Sequence, residues 1–513
     1  VIIPSGIRGP RRDEVVAHPA LAPASAALVR GDAAAALNLL AAPLAEAEPP
    51  ASVQLLAGLA HLALGERDPA KAALLAAVDH PSGLAGNDWP ALVRGLLDLD
   101  LTEAERDRLI ACLDDAVEAS PESAELYLAR GLVCQAAGRI ESAINEFDYA
   151  AELNEDLAEA WLALAECELA QERPLDAADA LDHAADLDPN EIHLFARMGD
   201  ALLDAGDPAR AIHAYEEGLQ LAPDEVDLYV GRARASLAMQ LFEDAAEDAR
   251  QAITRAPDEA AGWVVLGQAE YQLGRDEAAV DAFTHALERD PNHAHARRTR
   301  ADAYWARRDF SAAVADYAAA HAQDPEDAEL ALCLAEAHNE LGELDAALTG
   351  AAAAVALDPE LADGYALIAR IRRQRGELAE AMQSVEQGIE AVADEPELYV
   401  QRAELYRAGG RSYLAWRDLR WAIDLDPGHA DAYVLRAQLA LDLEGPEEAI
   451  ADLDAALEID PHDGKAYAWR GRAQSLAGHR SAAEEDWAEA EALLEPGDPL
   501  LEQIVTWRWD GTA

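Results

Sequence analysis

Prolines preceded by Asp, Ala or Ser recur along this chain at Pro121, Pro189, Pro223, Pro257, Pro291, Pro325, Pro359, Pro427 and Pro461. Every gap between them is 34 residues or a multiple of 34. A period this short cannot bury a core within one copy, so neighbouring copies must stack and share one. The skipped slots hold Glu155 and Ala393, and the slot after Pro461 holds Glu495. The register runs unbroken from Ala124 to Gly497, which makes eleven consecutive units.

With Ala124 as position one, position twenty is alanine in all eleven units, and position twenty-seven is always Ala or Gly. Position four is usually aromatic, from Tyr127 and Trp161 to Tyr433 and Tyr467, with Arg297 and Ala331 as exceptions. Each unit therefore opens one helix on a large ring. Its second helix carries small residues where a neighbour must approach closely. Glycine separates the two in seven units, Gly138, Gly206, Gly274 and Gly342 among them, as a left-handed helix C-cap requires. The proline stops the second helix.

This pattern resembles the tetratricopeptide repeat family. The unit containing Trp263, Leu266, Gly267, Ala279, Phe283, Ala286 and Pro291 carries the likeness most fully. Pentatricopeptide repeats, which bind RNA, have a different period and suit a different charge. The resemblance implies an all-α, right-handed superhelical α-solenoid of about 14 helix-turn-helix units, with a C-terminal capping helix. It also implies binding of other proteins. Residues 1–16 read as a flexible N-terminal tail, and 17–123 as three divergent repeat-like units with an insertion near 82–89. Residues 124–497 are the eleven regular units, and 498–513, with Leu500, Leu501, Ile504, Val505, Trp507 and Trp509, is the capping helix.

The repeats come in two varieties. Position seven is arginine in six units: Arg130, Arg232, Arg300, Arg402, Arg436 and Arg470. In those same units position twenty-three is acidic: Glu146, Asp248, Asp316, Asp418, Asp452 and Asp486. The other five units pair Leu164, Met198, Leu266, Leu334 or Ile368 with Ala180, Ala214, Ala282, Gly350 or Ser384. The match predicts a partly buried ion pair across each of six helix pairs, in place of a large-to-small apolar contact. These arginines are structural.

The net charge of −59 and pI near 4.3 disfavour sequence-independent nucleic-acid binding. Cys112, Cys134, Cys167 and Cys333 form no CxxC pair, which predicts free thiols in a reducing compartment. No apolar run is long enough to span a bilayer, and Val1–Arg12 lacks the hydrophobic segment of a signal peptide. The protein is expected to be cytoplasmic.

No Walker loop, GxSxG, HExxH or dinucleotide-binding glycine loop occurs, so no enzyme activity and no cofactor are expected. His293 and His295 form an HxH without a third ligand at a telling spacing, so no metal site is expected either.

In this family the first helix of each unit lines the concave face, through positions two, five, nine and twelve. Position two is mostly acidic here. Positions five, nine and twelve gather Arg234, Tyr271, Arg298, Trp305, Asn339, Arg370, Arg373, Arg407 and Arg472, the candidate partner-binding groove. One reading is a clamp for an acidic or carboxylate-bearing segment. The other is charge balance against Asp200, Asp302, Glu336 and Glu404, at the same position nine. The Lys and Asn clamp that some relatives use for chaperone tails is missing: Leu128, Leu162 and Ala196 hold the lysine position, and Glu166 and Asp200 the asparagine one. The leading expectation is an interaction scaffold for a partner protein or peptide. The alternatives are an assembly subunit of a larger complex and a regulatory module of an enzyme on another chain.

Overall fold

Position fifteen sets the shape of each repeat. Gly138, Gly206, Gly274, Gly342, Gly376, Gly410 and Gly478 all have φ between 69° and 86°, the left-handed region. The next residue then closes a helix cap, as when Arg139 N–H donates to Cys134 C=O at 2.9 Å and Gly138 N–H to Gln135 C=O at 2.9 Å. Glu172, Gln240 and Arg308 stand at the same position and adopt the same conformation, with φ of 57°, 61° and 59°. The fold thus imposes the turn even where a side chain resists it. Replacing these three by glycine is expected to raise stability, by up to about 1 kcal/mol each. Denaturant midpoints of the triple variant check this; a fall would show that the side chains favour the turn.

The computed structural model describes residues 20–443 and 445–510. Residues 1–16, read above as a tail, and residues 511–513 lie outside that range. Among the described residues there are twenty-nine helices and no strand. The chain divides into two units, one ending at Ala269 and the other beginning at Glu270.

In the first unit, two helix pairs, Leu21–Val29 with Ala33–Leu44 and Ala51–Ala63 with Arg67–Asp79, precede two helices, Asp88–Leu97 and Glu103–Ala119, that each pack on Ala124–Ala136 rather than on one another. Thr102 and Glu105 form a reciprocal capping box at the start of the last of these. Regular pairs follow from Ala124–Ala136 with Ile140–Leu153 to Val226–Ala238 with Phe242–Arg255. A single hydrophobic cluster extends from Ala51 to Ala235, because each pair buries one face against the pair before and the other against the pair after.

The second unit repeats the plan from Asp276–Arg289 to Gly464–Leu476 with Arg480–Leu493. It ends on helix Pro499–Asp510, which buries Ile504 and Trp507 against Ala468, Ala483, Trp487 and Ala490.

Each of the eleven alanines at position twenty is at most 1% exposed. Position four also has a polar duty. The hydroxyls of Tyr127, Tyr229 and Tyr399 and the indole N–H of Trp161 and Trp263 donate to the carbonyl six residues earlier, at 2.8–3.2 Å. Arg297, an exception to the aromatic rule, donates to Pro291 C=O in the same way. In these six repeats a side-chain donor ties down the preceding loop, whereas Phe195 and Ala331 at the same position have none to offer.

All six expected ion pairs are present. Arg232, Arg300, Arg402, Arg436 and Arg470 each bind their aspartate through Nε and Nη2, at 2.6–3.1 Å. Arg130 reaches Glu146 with one nitrogen, at 2.9 Å. In five of the six the guanidinium also lies 5.3–5.9 Å from the centroid of the position-four tyrosine. Arg300, whose repeat has Arg297 there, lies over Tyr304 instead.

Candidate functional site

First helices of successive repeats touch one another. In the second unit Ala328–Glu340 contacts Ala362–Gln374, which contacts Pro396–Ala408, and so on to Gly464–Leu476. Consecutive second helices of the regular repeats make no comparable contact among the described residues. The first helices from Ala328–Glu340 to Gly464–Leu476 therefore form a continuous face, and side chains at positions two, five, nine and twelve stand on it.

Arg234 lies in the first unit, 3.9 Å from Asp200 Oδ1, and the other eight candidates lie in the second. Tyr215 donates to that same Asp200 at 2.8 Å. Arg298 reaches into the next repeat, to Asp327 Oδ2 at 3.4 Å and Glu329 Oε2 at 3.2 Å. Trp305 packs edge-on against Phe310, with centroids 5.1 Å apart. Burial, helped by Asp302, pushes the Tyr271 hydroxyl above its usual range. Arg373 holds Glu404 at 2.8 Å. Arg407 donates to Asp442 at 3.0 Å and Gln438 at 2.6 Å, again in the following repeat. Arg472 lies 5.7 Å from the Trp507 ring on the last helix. Asn339 Oδ1 is shielded from solvent without a hydrogen-bond donor.

The structure brings Arg370 and Arg373 together with Glu336 and Glu404. Burial raises both carboxyls above the ordinary range, opposed by Arg370 at Glu336 and by Arg373 at Glu404. Asp302 is raised by burial too, while its bond from the Tyr317 hydroxyl at 2.6 Å lowers it. Asp200 and Asp302 thus serve tyrosines of their own helix pairs. The signal was in the sequence: position nine is aspartate only in these two units, and only these have tyrosine at position twenty-four. His293 is likewise a cap, its Nδ1 accepting from Ala296 N–H at 3.2 Å.

One neighbour on this face gives it a pH dependence. His429 Nε2 lies 3.4 Å from Glu397 Oε2, and Gln401 donates to Glu397 Oε1 at 2.7 Å. The bond to Glu397 raises His429 above the usual imidazole range against the effect of burial. Burial works to raise Glu397, but its bonds from His429 and Gln401 bring it below the usual range. The histidine's contribution is complete below its unfolded pKa and fades as pH rises through the higher folded value. The glutamate's is complete above its unfolded pKa and fades as pH falls through the lower folded one. The stability gap between the protein and His429→Gln is therefore expected to be widest between about pH 4.3 and 6.5. It narrows on either side. A gap that stays constant from pH 4 to about 9 in denaturation experiments would refute the pairing.

No helix among the described residues is long and apolar enough to cross a membrane. No curated protein matches the chain in sequence. Among solved structures, the chain is similar to the APC/C hetero-tetramer Cut9–Hcn1, at 14% identity and a TM-score of 0.39, over 88% of this chain and 95% of that one. It is similar to yeast Tom70 at 16% identity and a TM-score of 0.40, over 82% of this chain and 100% of that one. YrrB, described as a TPR protein with an unusual peptide-binding site, aligns at 18% identity and a TM-score of 0.32, over 36% of this chain and 95% of that one. Models of the tetratricopeptide repeat match residues 135–192, 202–247, 230–294, 298–362 and 400–464. With the 34-residue register and the helix pairs it encodes, these matches establish that the chain belongs to the tetratricopeptide repeat family.

Proposed function

We propose that the chain is an interaction scaffold that holds a partner protein or peptide along its first-helix face and catalyses no reaction itself. The observation that carries this is the set Arg298, Arg373 and Arg407, each outside the packed interior and bound to carboxylates of the following repeat. Such partly exposed pairs contribute only about 0–1 kcal/mol, so carboxylates of an incoming segment can take them over at little cost. The four free thiols support a cytoplasmic location.

The test is capture of partners from native lysate by the full chain and by Arg370→Glu/Arg373→Glu/Arg407→Glu. The variant is expected to lose at least about tenfold of the specific partner while its helical signal and melting are retained. Equal capture would remove the site from this face. A second reading, an assembly subunit, is favoured by Val505 and Trp509, 52% and 73% exposed on the last helix. Concentration-dependent assembly that disappears on deleting 498–513 would select it.

A further inference from the structure

Helix Ser412–Leu425 is the second helix of the repeat at 396–429, so it stands away from the first-helix face. Its buried side uses Ala415, Asp418, Leu419, Ala422 and Ile423. On the opposite side Tyr413 is 76% exposed, Trp416 41% and Trp421 53%. Arg417 and Arg420 lie between these rings, their side chains 54% and 62% exposed. The five residues fall at i, i+3, i+4, i+7 and i+8, one continuous helical stripe.

Neither arginine is well used within the chain. Arg417 Nη2 is 3.4 Å from Asp418 Oδ1, but Arg402 already binds both oxygens of that carboxylate. Arg420 Nε is 3.7 Å from Asp424. Nor does the repeat require these residues. The same five positions read Ala379, Met382, Gln383, Glu386 and Gln387 one repeat earlier, and Glu447, Ile450, Ala451, Asp454 and Ala455 one repeat later. A stripe of aromatic and arginine side chains has the composition of an interface centre. On a chain of net charge −59 its local sign is opposite to its surroundings.

We propose that this outer stripe is a second docking surface, which takes an acidic segment of a partner protein carrying aliphatic side chains. The two guanidinium groups bind the segment's carboxylates, and the three rings cover its aliphatic groups. Glu386 and Glu390 one repeat earlier, and Asp454 and Glu458 one repeat later, hold the positions of Arg420 and Asp424 and are all acidic. A short acidic segment fits between them, whereas the extended phosphate backbone of a nucleic acid must cross them and is repelled. A second copy of this chain is disfavoured, because a two-fold contact through the stripe sets Arg417 and Arg420 against themselves.

The experiment uses the full chain and a fluorescein-labelled peptide with Asp and Glu interspersed with Leu at helical spacing. Controls are a peptide with Ser for Leu, one with Lys for the acidic residues, and a single-stranded oligonucleotide. The expected result is salt-sensitive binding of the acidic Leu peptide alone. Arg417→Glu/Arg420→Glu should weaken it at least about tenfold, and by clearly more than Arg370→Glu/Arg373→Glu does, which separates this surface from the first-helix face. Absence of binding, equal binding by Arg417→Glu/Arg420→Glu, or preference for the oligonucleotide would overturn the proposal. So would a homodimer that those two substitutions abolish.

Discussion

Arg300→Ala is expected to destabilise its repeat by about 3–5 kcal/mol, because it leaves a buried carboxylate without its counter-ion. Asp316 is 5% exposed and accepts both of its strong bonds from Arg300, at 2.7 and 2.8 Å. Its nearest other cation, Arg297, is 3.9 Å away and also tied to Pro291 C=O. Thr284 loses the Arg300 bond too, but its own hydroxyl still donates to Val280 C=O at 2.7 Å. The damage should therefore centre on Asp316.

Replacing both partners, as Arg300→Leu with Asp316→Ala, copies the combination already present at Leu164 and Ala180, both buried in their own repeat. This double variant is expected to lie within about 1 kcal/mol of the parent. A stacked array does not unfold as one cooperative block, so a single global midpoint would dilute the effect. Hydrogen exchange of the helices Ala294–Ala306 and Phe310–His321 is the appropriate readout. Equal acceleration in the single and double variants would refute the account.

Gly199→Ala is expected to destabilise the first unit through Tyr215. An added Cβ would stand 2.4 Å from Tyr215 Cζ, and one added at Gly231 in the next repeat would stand 2.4 Å from Tyr215 Cε1. The ring is thus held between two helices that lack side chains there, and its hydroxyl is fastened to Asp200. Relief requires the ring and Asp200 to shift together, an arrangement the repeat at 294–327 holds with Ala301 beside Tyr317 and its 2.6 Å bond to Asp302. Overpacking of this kind costs about 1–3 kcal/mol, and more where relaxation is blocked.

The remedy is also present elsewhere in the chain. The preceding repeat carries Ala165 and Leu181 at the two equivalent positions, both fully buried. Tyr215→Leu should therefore recover much of the loss caused by Gly199→Ala, although by itself it destabilises. It frees Asp200, whose side chain is 57% exposed and can be hydrated. A double-mutant cycle reads this directly. Additive losses would mean that the ring and the glycine do not compete for the same space.

Both experiments use pairings that are written in the chain as correlated positions. The arginine–acid pairs were legible because eleven units serve as an internal comparison, and position seven changes together with position twenty-three. Tyrosine at position four in five of the six arginine repeats was equally legible and carries the ring beneath the guanidinium. So was glycine at position eight opposite a large ring at position twenty-four, as with Gly131 and Phe147 or Gly471 and Trp487. These contacts lie inside one repeat or between adjacent ones, so a fixed sequence offset encodes a fixed distance.

The first-helix face was legible only in part. Position within the repeat placed Arg298, Arg373 and Arg407 on it, but their partners are Glu329, Glu404 and Asp442, each in the next repeat. Each arginine reaches a residue 31 positions on, Glu329, Glu404 and Gln438, and Arg407 also reaches Asp442 at 35. Long, partly exposed side chains choose partners by reach and by what the neighbouring helix happens to offer.

The sequence by itself determined the repeat, its helix pairs, its turn and its six internal ion pairs, because local spacing and close packing repeat with the chain. Only the tertiary structure decided which charges face one another between repeats and which are buried enough to shift. It also decided which rings remain uncovered, as on helix Ser412–Leu425. Those properties depend on how far each side chain reaches and on what its neighbour leaves exposed, and neither is periodic.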